Sequence, residues 1–209
     1  MKNLIIINNP LVKRDVTYLR DKRTKEYQFR LALRRISFIL ASEIAKQEFR
    51  TVECEVETPL EKTIGHSLEH QIVLVPVLRA GLSMVNSFVE MIPNAKVGHI
   101  GMERNEKTLE PRTYYYKTPK ELNTSKTIVL DPMLATGGSA SAAFSFLKQK
   151  GARDCSLACL ISAPEGVRKM ERDHPDVKIY TAVLDRELNE NGYILPGLGD
   201  AGDRTFGTL

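Results

Sequence analysis

Residues 127–139 read Thr-Ile-Val-Leu-Asp-Pro-Met-Leu-Ala-Thr-Gly-Gly-Ser, which is a short apolar run, one acid and a turn of small residues. The apolar run is long enough for a buried strand and too short for a helix. Asp131 follows it, at the strand end where open α/β sheets usually bind ligands. The adjacent glycines Gly137 and Gly138 permit positive φ and let a ligand approach the main chain closely. The segment therefore predicts a strand, a ligand-binding turn and a helix.

The chemistry of this turn suits a sugar phosphate. A helix beginning at Ser139 would direct unpaired N–H groups and its positive dipole end at a bound anion. The phosphate would fit the glycine turn, and the ribose hydroxyls would reach Asp131. The alternative is an ordinary strand-to-helix turn with Ser139 as the helix cap. This segment alone leaves both interpretations open.

A second turn has a similar design. Arg79, Ala80 and Gly81 follow the apolar run 72–78, so a strong cation lies in a tight turn after a predicted buried strand. An arginine can bind a diphosphate through two parallel N–H groups. Any single arginine is usually a surface charge, but two phosphate-suited turns in one sheet favour the binding interpretation. Arg104, beside Glu103, is a second candidate cation.

The third unusual segment is 192–204, which is rich in glycine. It interleaves Tyr, Ile and Leu with the glycines, which a disordered tail would not do. We interpret it as an ordered loop whose backbone groups contact something small and flat. Asp200 is flanked by small residues on both sides. A tight structural hairpin is the alternative.

Better-known motifs do not explain the chain. No Gly-x-x-x-x-Gly-Lys-[Ser/Thr] string occurs, so a P-loop is excluded. Residues 197–202 match Gly-x-Gly-x-x-Gly, but too few residues follow for the helix, strand and acid of a dinucleotide site. Residues 66–70 spell His-x-x-Glu-His, yet the strand predicted from Ile72 leaves barely one helical turn for a zinc-binding helix.

Composition bounds the class of protein. The 209 residues, 42% of them hydrophobic, suffice for one α/β domain with a real core. A net charge of +4 fits an anionic small-molecule substrate better than a nucleic acid. Three cysteines without Cys-x-x-Cys spacing suggest a reduced, cytoplasmic protein. No apolar run is long enough for a membrane span or a signal peptide.

The periodicity predicts alternating strands and helices. Residues 23–48 form the longest amphipathic helix, and 52–57 alternate as a half-exposed strand. Further strands are predicted at 72–78, 97–102, 128–130, 155–161 and 177–182. Residues 104–120 are charged, contain two prolines and three consecutive tyrosines, and are typical of a flap or hairpin. Strands separated by helices imply a mainly parallel open sheet flanked by helices.

Together these segments resemble a known family. Residues 131–139 resemble the PRPP-binding loop of type I phosphoribosyltransferases, and with 79–81 and 192–204, in the family's order, the chain resembles the uracil phosphoribosyltransferases over nearly its whole length. The resemblance implies an α/β fold in a single domain, 1–209, with a flap hairpin at about 104–120 and a C-terminal base-binding hood at about 186–209. It implies transfer of the 5-phosphoribosyl group from PRPP to uracil, giving UMP and diphosphate in pyrimidine salvage.

The resemblance also implies roles for particular residues. Those expected to bind PRPP are Arg79, Arg104, Asp131, Pro132, Met133, Leu134, Ala135, Thr136, Gly137, Gly138, Ser139 and Asp200. Those expected to frame uracil are Ile194, Gly199, Asp200 and Ala201. Those expected to be catalytic are Asp131, Arg79 and Asp200.

Cofactors and partners follow from the same resemblance. The wider superfamily has two adjacent acids where this chain has Asp131-Pro132, so no metal cage built by the protein is expected, and Mg²⁺ would arrive bound to PRPP. The resemblance permits GTP as an effector and implies a homo-oligomer, a dimer or tetramer, with no nucleic-acid or membrane partner.

Two other functions stay open on the sequence. One is an RNA-binding pyrimidine regulator built on the same fold, which the complete base loop and the modest charge disfavour. The other is a phosphoribosyltransferase for another nucleobase. No strong general base is evident, so positioning and electrostatics are expected to supply most of the rate.

Overall fold

The computed structural model of the protein describes residues 1–104 and 111–208, apart from the side chains of Arg104 and Pro111. The helices are α1 (Pro10–Arg20), α2 (Glu26–Glu48), α3 (Leu82–Met91), α4 (Gly138–Gln149), α5 (Pro164–Asp173) and α6 (Ala201–Phe206). The strands are β1 (Leu4–Ile6), β2 (Thr51–Glu57), β3 (Lys62–Leu68), β4 (Ile72–Leu78), β5 (Lys96–Val97), β6 (His99–Arg104), β7 (Pro111–Lys117), β8 (Lys126–Leu130), β9 (Met133–Leu134), β10 (Asp154–Ser162), β11 (Lys178–Leu184), β12 (Glu187–Leu188) and β13 (Ile194–Leu195).

Within the described residues, a nine-stranded sheet forms the centre of the fold. Its main path runs β1-β11-β10-β8-β4-β6-β7, with β5 beside β4 and β9 beside β10. The pairings are parallel except that of β6 with β7, which is antiparallel. The predicted fold class, a mainly parallel sheet flanked by helices, is confirmed. Residues 105–110 of the predicted flap lie outside the described residues.

The core explains why the central strands read as continuous apolar runs. Side chains alternate along β4 and β8, and both faces of these strands are buried. Leu74 and Ile128 pack on one face beneath α1, α2 and α3. Val75 and Val129 pack on the other face beneath α4 and α5. Two helical layers therefore enclose the sheet and leave its strand ends free to hold a site.

Some elements differ from the sequence prediction. The long helix begins at Glu26 rather than at residue 23. The predicted strand 52–57 lies within β2, but it pairs with β3 in a separate two-stranded hairpin outside the main sheet. β1, α1 and β3 were not predicted. Among the helices described here, none combines the length and apolarity that crossing a membrane requires.

Candidate active site

Two turns meet at one edge of the sheet. β4 and β8 are adjacent and parallel, with Pro76 opposite Leu130, so the turns that follow them start side by side. Gly81 makes the contact possible, because a Cβ atom there would lie 2.3 Å from the Leu130 carbonyl oxygen. A larger residue would push the Arg79 turn away from β8. The glycine at this position is therefore required for close packing.

A cavity of about 270 Å³ lies between the two turns. Nine of the residues expected to bind PRPP line it: Arg79, Asp131, Met133, Leu134, Ala135, Thr136, Gly137, Gly138 and Ser139. Its wall is completed by Val77, Leu78, Ala80, Met102, Ala140 and Gly192. The structure thus brings the first two predicted turns into one site.

The glycine turn leads directly into α4. Gly137 has φ +76 and occupies the N-cap position, and the helix begins at Gly138. Ser139 already lies inside the helix, so the alternative in which Ser139 caps it is wrong. The first turn of a helix presents N–H groups without intrahelical partners, here at the wall of the cavity.

Helix α5 supports this turn from behind. A Cβ atom at Gly166 would lie 2.4 Å from the Ala135 carbonyl oxygen, and one at Gly137 would lie 2.9 Å from the Gly166 carbonyl oxygen. Two glycines thus let the start of α5 press against the backbone of the phosphate-suited turn. Sequence reasoning missed Gly166, which is the third residue of α5 and belongs to no motif.

Asp131 is the acid of the cavity. Burial raises the pKa of its carboxyl to about 7, against the small opposing effect of a hydrogen bond from the Met133 amide at 3.3 Å. The chain then bends, since the Pro132 carbonyl accepts hydrogen bonds from the Leu160 and Ile161 amides, both at 3.1 Å. Pro132 is buried and is not part of the cavity wall, and its contact with PRPP stays a prediction.

The hood adjoins both turns. A Cβ atom at Gly192 would lie 3.5 Å from Thr136, and one at Gly202 would lie 3.7 Å from the Ala80 side chain. The Arg79 guanidinium donates to the Asp203 carboxylate at 3.3 Å. The hood therefore closes the side of the cavity at which the two turns meet.

The residues expected to frame uracil lie in this hood, beside the cavity and not in its wall. Ile194 and Ala201 are buried, at 4% and 2% exposure. Asp200 is the N-cap of α6, and its carboxylate accepts a hydrogen bond from the Asp203 amide at 2.9 Å. Gly199 has φ +78, which favours glycine. Their contacts with substrate remain predictions.

Arg104 is the last residue of β6. β6 pairs with β4 in parallel, so the two strands end at the same edge of the sheet. The side chain of Arg104 lies outside the described part of the chain, and its contact with PRPP stays a prediction.

A larger cavity, about 380 Å³, lies at the opposite edge, where β8 and β10 begin. Its charged side chains neutralise one another: buried Lys126 forms ion pairs with Glu48 and, at 2.6 Å, with Asp154. It lacks the glycine turns that suit an anion. The smaller cavity is the better candidate because its groups converge on one ligand-sized space.

Comparison with known proteins agrees with this geometry. The family described as uracil phosphoribosyltransferase matches residues 6–208. The uracil phosphoribosyltransferase of Acholeplasma laidlawii is 52% identical over 208 residues, covering 100% of both chains. The solved structure of the AQ2163 protein from Aquifex aeolicus superposes with a TM-score of 0.91 at 38% identity, covering 97% of each chain.

A more distant likeness concerns the fold alone. A purine phosphoribosyltransferase from Pyrococcus horikoshii has a TM-score of 0.50 at 16% identity, covering 72% of this chain and 85% of its own. The type I phosphoribosyltransferase fold expected from the sequence is thereby confirmed. Taken with the full-length family match, the two turns and the hood lead to one conclusion: the chain belongs to the uracil phosphoribosyltransferase family.

Proposed function

We propose that the protein transfers the 5-phosphoribosyl group from PRPP to uracil in the cavity between the two turns, giving UMP and diphosphate. One observation supports this most: two anion-suited turns and a glycine-rich hood converge on one space of about 270 Å³. The family to which the chain belongs has the same activity in its name.

We assign each turn a part of PRPP. The turn 131–139 holds the 5-phosphate through the N–H groups at the start of α4, and Asp131 accepts hydrogen bonds from the ribose hydroxyls. Arg79 binds the diphosphate and exchanges its contact with Asp203 for the ligand. Arg104 is a second cation for PRPP, and Asp200 faces PRPP from the hood.

The reaction needs electrostatic stabilisation more than proton transfer. As the bond to diphosphate breaks, positive charge develops on the ribose and negative charge on the leaving group. Fixed donors around the diphosphate stabilise that charge without reorganisation. Uracil must approach the anomeric carbon from the hood side, so Ile194, Gly199 and Ala201 orient the base.

Mg²⁺ fits this site as a companion of PRPP. Magnesium usually binds substrate phosphates with one or two carboxylates, and Asp131 is a carboxylate facing the cavity. Within the described residues no cluster of three His, Cys, Asp or Glu could hold a metal by itself. Bound with PRPP, Mg²⁺ would supply positive charge for the diphosphate.

The oligomeric state is a further part of the proposal. The β2–β3 hairpin buries little of itself, and Ile64 and Leu60 are 62% and 95% exposed. An exposed hairpin with apolar side chains among its charged ones supports a homo-oligomer, dimer or tetramer, which sedimentation would measure. GTP as an effector and a cytoplasmic location also remain proposals; the three cysteines are free thiols, as a reduced compartment requires.

The function is tested by product analysis. Purified protein with uracil, PRPP and Mg²⁺ should form UMP and diphosphate in equal amounts. Absence of UMP, together with RNA binding that weakens steeply with salt, would instead favour the RNA-binding regulator. Faster turnover of a different base would favour a phosphoribosyltransferase for that base.

Asp131→Asn should reduce PRPP use and stabilise the free protein. Asparagine keeps the shape but loses charge-assisted hydrogen bonds worth about 1.5–3 kcal/mol, so kcat/KM for PRPP should fall about tenfold or more. Because the folded pKa is raised, the stability contributed by the protonated carboxyl is present below pH about 4 and is lost as the pH rises through about 7. The variant should therefore unfold at a higher temperature than the parent at pH 8, and this advantage should shrink towards pH 4.

Asp21→Asn is the control with the opposite sign. Arg23 lowers the pKa of the exposed Asp21 carboxyl to about 2, so its contribution is present at neutral pH and is lost as the pH falls through about 2. This variant should lose stability at pH 8 and keep PRPP use. Unchanged turnover of Asp131→Asn at limiting PRPP would remove Asp131 from the site.

A further inference from the structure

An ion pair with a buried carboxylate joins α1 to the chain that follows β11. Arg20 is the last residue of α1, and Asp185 comes just after β11, 165 positions away. The guanidinium and carboxylate form a two-point contact, Nη1 to Oδ2 at 3.0 Å and Nη2 to Oδ1 at 2.5 Å. The Asp185 side chain is 2% exposed. Two-point contacts of this kind fix direction as well as distance.

Both partners also hold the main chain of Gly197. The Gly197 amide donates to Asp185 Oδ2 at 2.9 Å, and the Gly197 carbonyl accepts from Arg20 Nη1 at 3.1 Å. Gly197 has φ +66, and a Cβ atom there would lie 2.1 Å from the Ile194 carbonyl oxygen. The ion pair therefore holds both hydrogen-bonding groups of the residue that opens the glycine-rich loop.

A second arginine secures the other end of that loop. Arg204 donates to the Leu198 carbonyl at 2.7 Å and to the Asp21 carbonyl at 2.8 Å, and also to that of Leu19. Its guanidinium stacks 4.5 Å from the centre of the Phe29 ring. The chain on both sides of the loop is thus held at the same place, the C-terminal end of α1.

We infer that Arg20 and Asp185 are positioning residues for uracil, which they orient through the backbone of Gly197 and the loop 197–201. This inference rests on the proposed function, in which that loop reads the base. A loop that recognises a base by main-chain groups has no side chain to adjust its fit. The position of its main-chain groups therefore depends on the contacts that hold the backbone. At Gly197 the ion pair holds both the amide and the carbonyl.

The test separates positioning from folding. Removing Arg20 alone leaves the buried Asp185 carboxylate unpaired, which is strongly destabilising. The double variant Arg20→Met/Asp185→Leu removes both charges and keeps apolar bulk, so it should fold while Gly197 loses its partners. Arg20→Lys is the second variant, because a single ammonium group cannot reproduce the fork that spans Asp185 and the Gly197 carbonyl.

The readouts are KM for uracil, the preference for uracil over cytosine, and the PRPP dissociation constant from calorimetry. In the double variant we expect uracil KM to rise and base preference to fall, each by about tenfold or more. PRPP affinity should fall by less than the rise in uracil KM, since the turn 131–139 is assigned most of the PRPP contacts and only Asp200 of the loop faces PRPP. Arg20→Lys should shift the same two quantities in the same direction. Arg23→Gln, which removes an exposed arginine three residues further on, should change none of them.

Failure of this inference and failure of the base-loop proposal would give different results. A normal uracil KM in the folded double variant, or a parallel loss of PRPP affinity, would overturn the positioning role; if the double variant does not fold, the same criteria apply to Arg20→Lys. Gly199→Val tests the base loop itself. If Gly199→Val raises uracil KM and the ion-pair variants do not, the loop binds uracil and only this inference is wrong. A normal uracil KM in Gly199→Val would overturn the base-loop proposal and the inference with it.

Discussion

Gly137→Val is expected to abolish PRPP binding, a loss of about a hundredfold or more in affinity. Gly137 has φ +76, a conformation that a β-branched residue adopts only under strain. A Cβ atom there would also lie 2.9 Å from the Gly166 carbonyl oxygen and 3.2 Å from the Lys169 Cβ atom. The turn must therefore open or shift, and the N–H groups at the start of α4 would lose their common direction. Calorimetric titration with PRPP measures the effect.

Gly151→Val is the matched control. Gly151 also has positive φ, +102, but a Cβ atom there meets only the Asn123 side chain at 3.8 Å. Both variants carry backbone strain of similar origin, so both should unfold at a lower temperature. PRPP affinity should fall in Gly137→Val alone. Normal PRPP affinity in a folded Gly137→Val protein would show that the turn 131–139 does not bind the 5-phosphate.

Discrimination between uracil and cytosine is the second large effect. Uracil has an N3–H donor between two carbonyl acceptors, a pattern that main-chain groups of Ile194 and 199–201 can complement. In the same pose cytosine places an acceptor and an amino donor where uracil has a donor and a carbonyl. Each unpaired buried group costs about 1–3 kcal/mol, so two of them predict a preference of about a thousandfold or more.

The measurement is kcat/KM for uracil, 5-fluorouracil, cytosine and hypoxanthine at saturating PRPP. Fluorine leaves the hydrogen-bonding pattern intact, so 5-fluorouracil should be a substrate. Hypoxanthine should fail because a purine is too large. Turnover of cytosine or hypoxanthine within about tenfold of uracil would show that the loop does not read the base in this way.

Local signals made the two turns predictable. The turn after β8 depends on neighbours in the sequence, which are an apolar run, one acid and two glycines. The structure places the acid and both glycines around one cavity. The parallel sheet was equally accessible, because its buried strands are predominantly apolar. β1 has only three residues, which is too few to give a periodic signal. β3 belongs to a hairpin whose side chains are mostly exposed, so its sequence shows no buried face.

Other features depend on distant packing and could not be predicted. Gly81 has φ −58, as many residues do, and only the nearness of the Leu130 carbonyl requires glycine there. Gly166 likewise acquires its role from the turn it presses against. Arg79 and Asp203 are 124 positions apart, and the residues around each of them in the sequence do not indicate that the two pair.

The ion pair between Arg20 and Asp185 has a consequence for the evolution of this protein. Loss of Arg20 alone leaves the buried Asp185 carboxylate and the Gly197 carbonyl without this partner, and loss of Asp185 alone leaves the Gly197 amide without its acceptor. A lineage that drifts to another arrangement must pass through an impaired intermediate or alter both codons nearly together. We therefore expect the first and last fifths of the chain to change together. A recombinant that takes them from different relatives should have a poorly positioned base loop.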